Sequence, residues 1–286
     1  MSRPAASWIR LASVLACLLS AHCAQAGEAL VYLRVPDSRL DLRQETVTSD
    51  PDTPSVSQRL LCSMQVDLRT RQLDRGVELR LAGFRQKIRL DGIEVSSPLG
   101  ALDRLKLACP DALPHGPSAA PQAANADRFD ALAWSGIEQT ADAIRGAFLL
   151  TFPRLPREPV SAGGGWEVRR RLPLALASLP GFELELVSRM RLDGFADVGG
   201  KRCAYLSEKI ELHLNEQRSF PARMIQIEGS GEGTASHVVC GGRVESSEAR
   251  LKLSLELQAL YSTEALPFHT RSAIEIRARR VSDGTR

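Results

Sequence analysis

The chain has 286 residues, 37 basic and 34 acidic, and 43% of it is hydrophobic. That near-neutral balance excludes a strongly basic nucleic-acid binder and a highly charged disordered chain. No basic block stands out, and only five of the 37 basic residues are lysine; a nucleic-acid partner is not expected.

Arg3 and Arg10 bracket a positively charged start, Leu11 to Ala21 is apolar and small, and Ala24-Gln25-Ala26 has the A-x-A form of a cleavage site. Together they predict a cleavable signal peptide over 1–26 and a periplasmic or secreted protein beginning at Gly27. The apolar run is well short of the roughly 20 residues of a spanning helix, and no later segment reaches that length, so a transmembrane anchor is not expected. Lipid attachment is disfavoured. The apolar run before Cys17 is too short, and Cys23 follows His22 where a small residue is wanted. Removing Arg3 and Arg10 leaves 35 basic residues against 34 acidic.

Cys62, Cys109, Cys203 and Cys240 remain after cleavage. An even count in an exported chain reads as disulfides. The expected pairing is Cys62–Cys109 with Cys203–Cys240, each bridge on its own side of a Pro/Ala-rich linker at 110–127. That linker separates an N-terminal β half, 27–109, from a C-terminal β half, 128–286. No C-x-x-C pair is present, and the spacing of His237 and Cys240 is a weak metal signal, so neither a metal nor a cofactor is expected.

Period-two alternation runs through both halves, the mark of strands with one buried face. Val77, Leu79 and Leu81 alternate with Glu78 and Arg80. Leu184 and Leu186, Ile210 and Leu212, and Leu251 to Leu257 repeat the pattern later in the chain. Turns are expected at Asp74-Arg75-Gly76, from Asp193-Gly194 through Gly199-Gly200, and at Gly241-Gly242. A weak helical pattern covers Leu99 to Leu107. A stronger helix is expected over 136–149: Ser135 and Glu138 have capping-box spacing, and Ile137, Ala141, Ile144 and Phe148 share one face. Pro153, Pro156 and Pro159 then hold an extended crossover before the Gly163-Gly164-Gly165-Trp166 turn.

The segment FPRLPREPVSAGGGW, 152–166, resembles a pattern, FP-x-LP-x-x-PV-x-x-G-x-x-W, of a group of bacterial exported β-rich proteins. The likeness continues through Gly199 to Tyr205 and extends over Gly229 to Gly233 and Gly241 to Arg243, about half the chain. Gly164 departs from it, because a polar residue often stands there. The resemblance implies a β-rich exported protein and brings no activity and no catalytic residues.

Catalytic readings find little support. No G-x-S-x-G elbow is present, and His115, His213, His237 and His269 lack a partner legible in sequence. Gly229, Gly231 and Gly233 lie between strand-like runs, where a phosphate loop would open a helix. They read instead as small residues on a strand face beneath a bulky neighbour such as Trp166.

The expected fold is mainly β: a long curved antiparallel sheet, half-barrel-like, of about twelve strands with one packed helix. The expected function is non-catalytic. An apolar or amphiphilic ligand, a lipid for example, would lie on the concave face against Leu184, Leu186, Ile210, Leu212, Ile225, Ile227, Leu253 and Leu255. The alternatives are an envelope structural or protein-interaction module that uses a sheet edge, and a hydrolase whose site only the fold assembles. The expected start of the mature chain is tested by intact mass of the exported protein. The mass should correspond to a chain beginning at Gly27; a lipid-modified Cys17 or a retained Met1 would refute the cleavage site.

Overall fold

The computed structural model describes residues 30, 36–51, 55, 57–73, 76–95, 106–109, 131–176, 179–220, 223–262 and 269–282. The expected signal peptide, the 110–127 linker and the turn residues Asp74 and Arg75 lie outside the described residues.

Ten strands run side by side in one open antiparallel sheet, in the order β4-β3-β2-β1-β11-β10-β9-β8-β7-β6, and β5 adds to the outer side of β3. Their spans are β1 Ser38–Ser49, β2 Ser57–Leu73, β3 Gly76–Leu90, β4 Ile93–Val95, β5 Lys106–Cys109, β6 Gly165–Leu176, β7 Leu179–Val198, β8 Lys201–Phe220, β9 Arg223–Cys240, β10 Arg243–Ser262 and β11 His269–Ser282. The path holds ten strands where about twelve were expected. β7 to β10 are each 18 to 20 residues long, so fewer strands account for the chain. β1 pairs with β11 along its whole length, from Ser38 opposite Ser282 to Ser49 opposite Arg271, so the two halves share one sheet.

The Gly241-Gly242 turn forms as expected, and the turn between β7 and β8 is tighter than the sequence suggested. β7 continues through Gly194, where the register slips beside Asp193, and the turn is Gly199-Gly200 alone. Gly199-Gly200 and Gly241-Gly242 have φ of 57° and 75°, and 53° and 73°; Asp91-Gly92 between β3 and β4 has 50° and 85°. Positive φ at both central residues matches the twist of the flanking strands, which is why these pairs are rich in glycine.

The helix, α1, spans Ala131–Leu150. It starts before Ser135, so the serine lies inside the helix and the expected capping box does not form its start. Residues 106 and 107 belong to β5, which overturns the end of the helical expectation for Leu99 to Leu107; the rest of that segment lies outside the described residues.

α1 lies on the concave face and touches β6, β7, β1, β5 and β11, strands from both ends of the path. Ala141, Ile144, Ala147, Phe148, Leu149 and Leu150 are all buried, on more than one side of the helix. The sheet therefore curls around α1. Glycines on the inner side of β9 permit the bend. A Cβ on Gly231 would lie 2.4 Å from the Lys252 carbonyl oxygen of β10, and one on Gly233 would lie 2.4 Å from that of Arg250. The bulky neighbours over these glycines are Leu251, Leu253 and Leu255, where the sequence had suggested Trp166.

One disulfide forms, Cys203–Cys240, between direct register partners of β8 and β9 with Cα atoms 4.0 Å apart. The expected Cys62–Cys109 bridge does not: Cys62 is a free, half-buried thiol. The register gives the reason. Cys62 lies opposite Ile88 of β3 and Cys109 opposite Val77, eleven positions along the same strand. At about 3.3 Å per residue that is about 36 Å, far beyond the roughly 7 Å a disulfide can span. Burial raises the Cys62 thiol pKa, which suits an inert core residue.

Gly231→Val should drive a side chain into the β10 backbone and cost about 1–3 kcal/mol. A urea titration checks it; an unchanged midpoint would show that these glycines do not govern the bend.

Candidate functional site

The eight residues expected to line a ligand groove are all in the core, each no more than 4% exposed. The period-two pattern placed them on the correct face, but α1 and the curl of the sheet cover that face. Four cavities are described, lined largely by outward-facing residues or by the β6 edge, and of the eight only Leu253 borders any of them.

A polar belt crosses this apolar interior. Five neighbouring strands each contribute one inward side chain: Arg170 from β6, Ser188 from β7, Glu208 from β8, His237 from β9 and Ser247 from β10, all buried. Arg170 donates from Nη2 to Glu208 Oε1 at 3.0 Å. Ser188 Oγ donates to the same oxygen. His237 Nε2 lies 2.9 Å from Glu208 Oε2, and its Nδ1 hydrogen-bonds Ser247 Oγ. A carboxylate only accepts, so Nε2 carries the hydrogen of that bond. Burial alone would raise the Glu208 pKa. The Arg170 charge, with the His237 and Ser188 hydrogen bonds, outweighs it and lowers the carboxyl to about 2.

The belt ends on α1. Arg170 Nη1 donates to the carbonyls of Leu149 at 2.6 Å and Phe152 at 3.2 Å. These belong to the C-terminal end of the helix and the residues after it, where carbonyls lack intrahelical partners and the helix dipole is negative. The last turn of α1 has no basic residue of its own; the sheet supplies the cation. Thr151 Oγ1 satisfies Ala147 and Phe148 at 2.8 and 3.2 Å. A second buried arginine, Arg280 of β11, stacks over the rings of Phe148 and Phe152 and donates to Ser38 Oγ at 3.0 Å and the Pro36 carbonyl at 3.2 Å.

Serine, histidine and glutamate thus meet in one chain, a contact that the sequence could not show. None of Ser247, His237 and Glu208 lines a described cavity, and the side chains of His237 and Glu208 have no exposed surface. A signal for the belt was present in strand parity. Arg170 sits between Val168 and Leu172, and Glu208 between Leu206 and Ile210, each on the face its apolar neighbours bury. A charge at core parity implies a buried partner.

The remaining feature is the β6 edge. β6 ends the strand path and has a strand neighbour, β7, on one side only. A groove of about 780 Å³ runs between its start, Gly164 to Arg169, and the proline strap, Arg154 to Ser161. The strap is held by Trp166, whose indole donates to the Arg154 carbonyl at 2.8 Å. A tight turn completes it: a Cβ on Gly164 would lie 2.9 Å from the Ser161 carbonyl oxygen. Farther along β6, α1 comes close enough that a Cβ on Gly146 would lie 3.0 Å from the Pro173 carbonyl oxygen.

No family model and no curated protein matches the chain. Among solved structures it is similar to an outer membrane channel from Pseudomonas putida F1, at 10% identity over 88% of this chain and 97% of that one, with a TM-score of 0.20. It is also similar to OpdQ of Pseudomonas aeruginosa, at 7% identity over 86% and 98%, with a TM-score of 0.19. Scores this low carry no argument. No helix among the described residues is long and apolar enough to cross a membrane.

Glu208→Ala should leave Arg170 as an uncompensated buried charge and cost about 3–5 kcal/mol, whereas Arg170→Met with Glu208→Leu should recover most of it. The Glu208 contribution is present above its unfolded value of 4.5 and lost as pH falls toward about 2. Urea midpoints across that range should converge for the wild type and Glu208→Ala; a constant gap would remove Glu208 from the account.

Proposed function

We propose that this chain is a non-catalytic exported binding module that holds an extended segment of a partner protein along the free edge of β6. The observation that carries the reading is the groove beside the edge strand of an open sheet. An edge strand offers unpaired amides and carbonyls, and an added strand satisfies them. The strap fills that role at one point only, an isolated bridge at Val160, and forms no continuous strand. Pro153, Pro156 and Pro159 have no amide hydrogen, so they cannot make a ladder with β6. The strap remains a wall, and a partner segment takes the place between.

The interior argues in the same direction. A lipid on the concave face would have to displace α1 and break the Arg170 contacts at its end. Binding on the outside leaves the core intact. The same burial weighs against hydrolysis at Ser247, because a substrate has no described path to it.

Hydrogen exchange on the purified protein tests the proposal, with a panel of nine-residue peptides of alternating Val and Thr and mixed charge as the probe. Of the amides at 165–169, the alternate ones that point away from β7 should exchange fast alone and become protected when a peptide binds. N-methylation of alternate peptide amides should abolish binding in one register and spare it in the other. Protection elsewhere, or indifference to N-methylation, would refute edge addition.

A further inference from the structure

The outer face of the sheet carries charge in rows that follow the register. One row runs Lys87, Ser63, Arg43, Arg277, Arg250 across β3, β2, β1, β11 and β10. It contains four cations and no carboxylate. Like charges directly opposite each other on neighbouring strands are destabilising, yet Arg43 faces Arg277 and Arg277 faces Arg250. The next row is Arg85, Gln65, Asp41, Arg279, Glu248. The two rows meet in an outer-face cavity of about 510 Å³ lined by five cations, Arg43, Arg85, Lys87, Arg277 and Arg279, against two carboxylates, Asp41 and Glu248.

Some of this charge is answered along the strands. Arg277 pairs with Glu275 at 2.6 Å, Arg250 with Glu248 at 2.7 Å, and Arg43 lies 4.0 Å from Glu45. Among the described residues, Arg85, Lys87 and Arg279 make no ion pair, and all three are exposed. Asp41 stands opposite Arg279 but accepts its hydrogen bond from Gln65, at 3.0 Å.

We propose that this outer face docks on an anionic lipid surface, with Arg85, Lys87 and Arg279 reaching lipid phosphates. The width of the patch points to a surface. Five adjacent strands at about 4.8 Å spacing spread the cations over about 19 Å, more than one small anion can contact. A bilayer presents phosphates over the whole span. Single-stranded nucleic acid fits less well, because no aromatic side chain lines the cavity to stack a base. The patch spans β3 to β10, and β9, β8 and β7 separate it from β6, so a peptide at that edge and a membrane here would not compete.

The test is co-sedimentation of the processed full-length protein with vesicles of phosphatidylcholine alone or with one third phosphatidylglycerol. Binding should need phosphatidylglycerol, weaken with salt as screening shortens the reach of the charges, and survive millimolar inorganic phosphate. Each juxtamembrane cation contributes about a five-fold change in partitioning. The triple variant Arg85→Gln, Lys87→Gln, Arg279→Gln should therefore lose about 100-fold, and each single change about five-fold should the triple variant fold poorly. A charge-matched variant on β6 and β7, Arg171→Gln, Arg189→Gln, Arg191→Gln, should bind as the wild type does. Equal binding to both vesicles, equal loss in the two triple variants, displacement by inorganic phosphate, or tighter binding to a mixed-sequence oligonucleotide would each overturn the proposal.

Discussion

The structure depends on one buried cation. Arg170 reaches from β6 into the interior and divides its donors between Glu208 and the carbonyls that end α1. An isolated charge there would be prohibitive, and even a paired one pays a large desolvation cost. What the pair adds is position. An apolar face holds a helix without deciding where along the sheet it stops. A guanidinium with two particular carbonyls and one particular carboxylate does decide it. Arg280 makes the same end of the helix fast from the other limb of the sheet, through Phe148, Phe152, Ser38 and the Pro36 carbonyl.

With α1 located, the rest of the architecture follows. β6 and β7 approach the helix from one end of the path, and β1, β5 and β11 from farther along it, so the sheet must bend between them. Between them β9 carries glycines on its inner side, where no side chain would fit against the β10 backbone. The Cys203–Cys240 bridge ties the ends of β8 and β9 opposite their turn. The described interior is then filled by the apolar core and the polar belt.

The two ends of the strand path are treated differently. β3 has β4 against 88–90 and β5 against 77–80, short strands that interrupt an edge which would otherwise invite pairing. β6 has a proline strap that makes a single bridge, at Val160, and no continuous strand. The difference follows from the missing amide hydrogens of three prolines and from the indole of Trp166 that anchors the strap.

The sequence by itself determined the strands, their inward faces and the helix, because alternation and helical spacing are local consequences of which side chains must avoid water. It placed Leu184, Leu212 and Leu255 on the buried face, and it paired Cys203 with Cys240 by keeping the bridge within one half. It could not decide what covers that face, because the cover comes from the curl of ten strands around α1, and the curl rests on close approaches between Gly231 and a strand that is distant until the register is known. The Cys62–Cys109 pairing failed for the same reason: proximity in an antiparallel sheet is set by register, and register put the two cysteines at opposite ends of β3. The Glu208 network was half legible, since charged residues at core parity announce a buried partner. Only the tertiary structure chose that partner, by laying β6, β7, β8 and β9 in order across the sheet beneath the end of the helix.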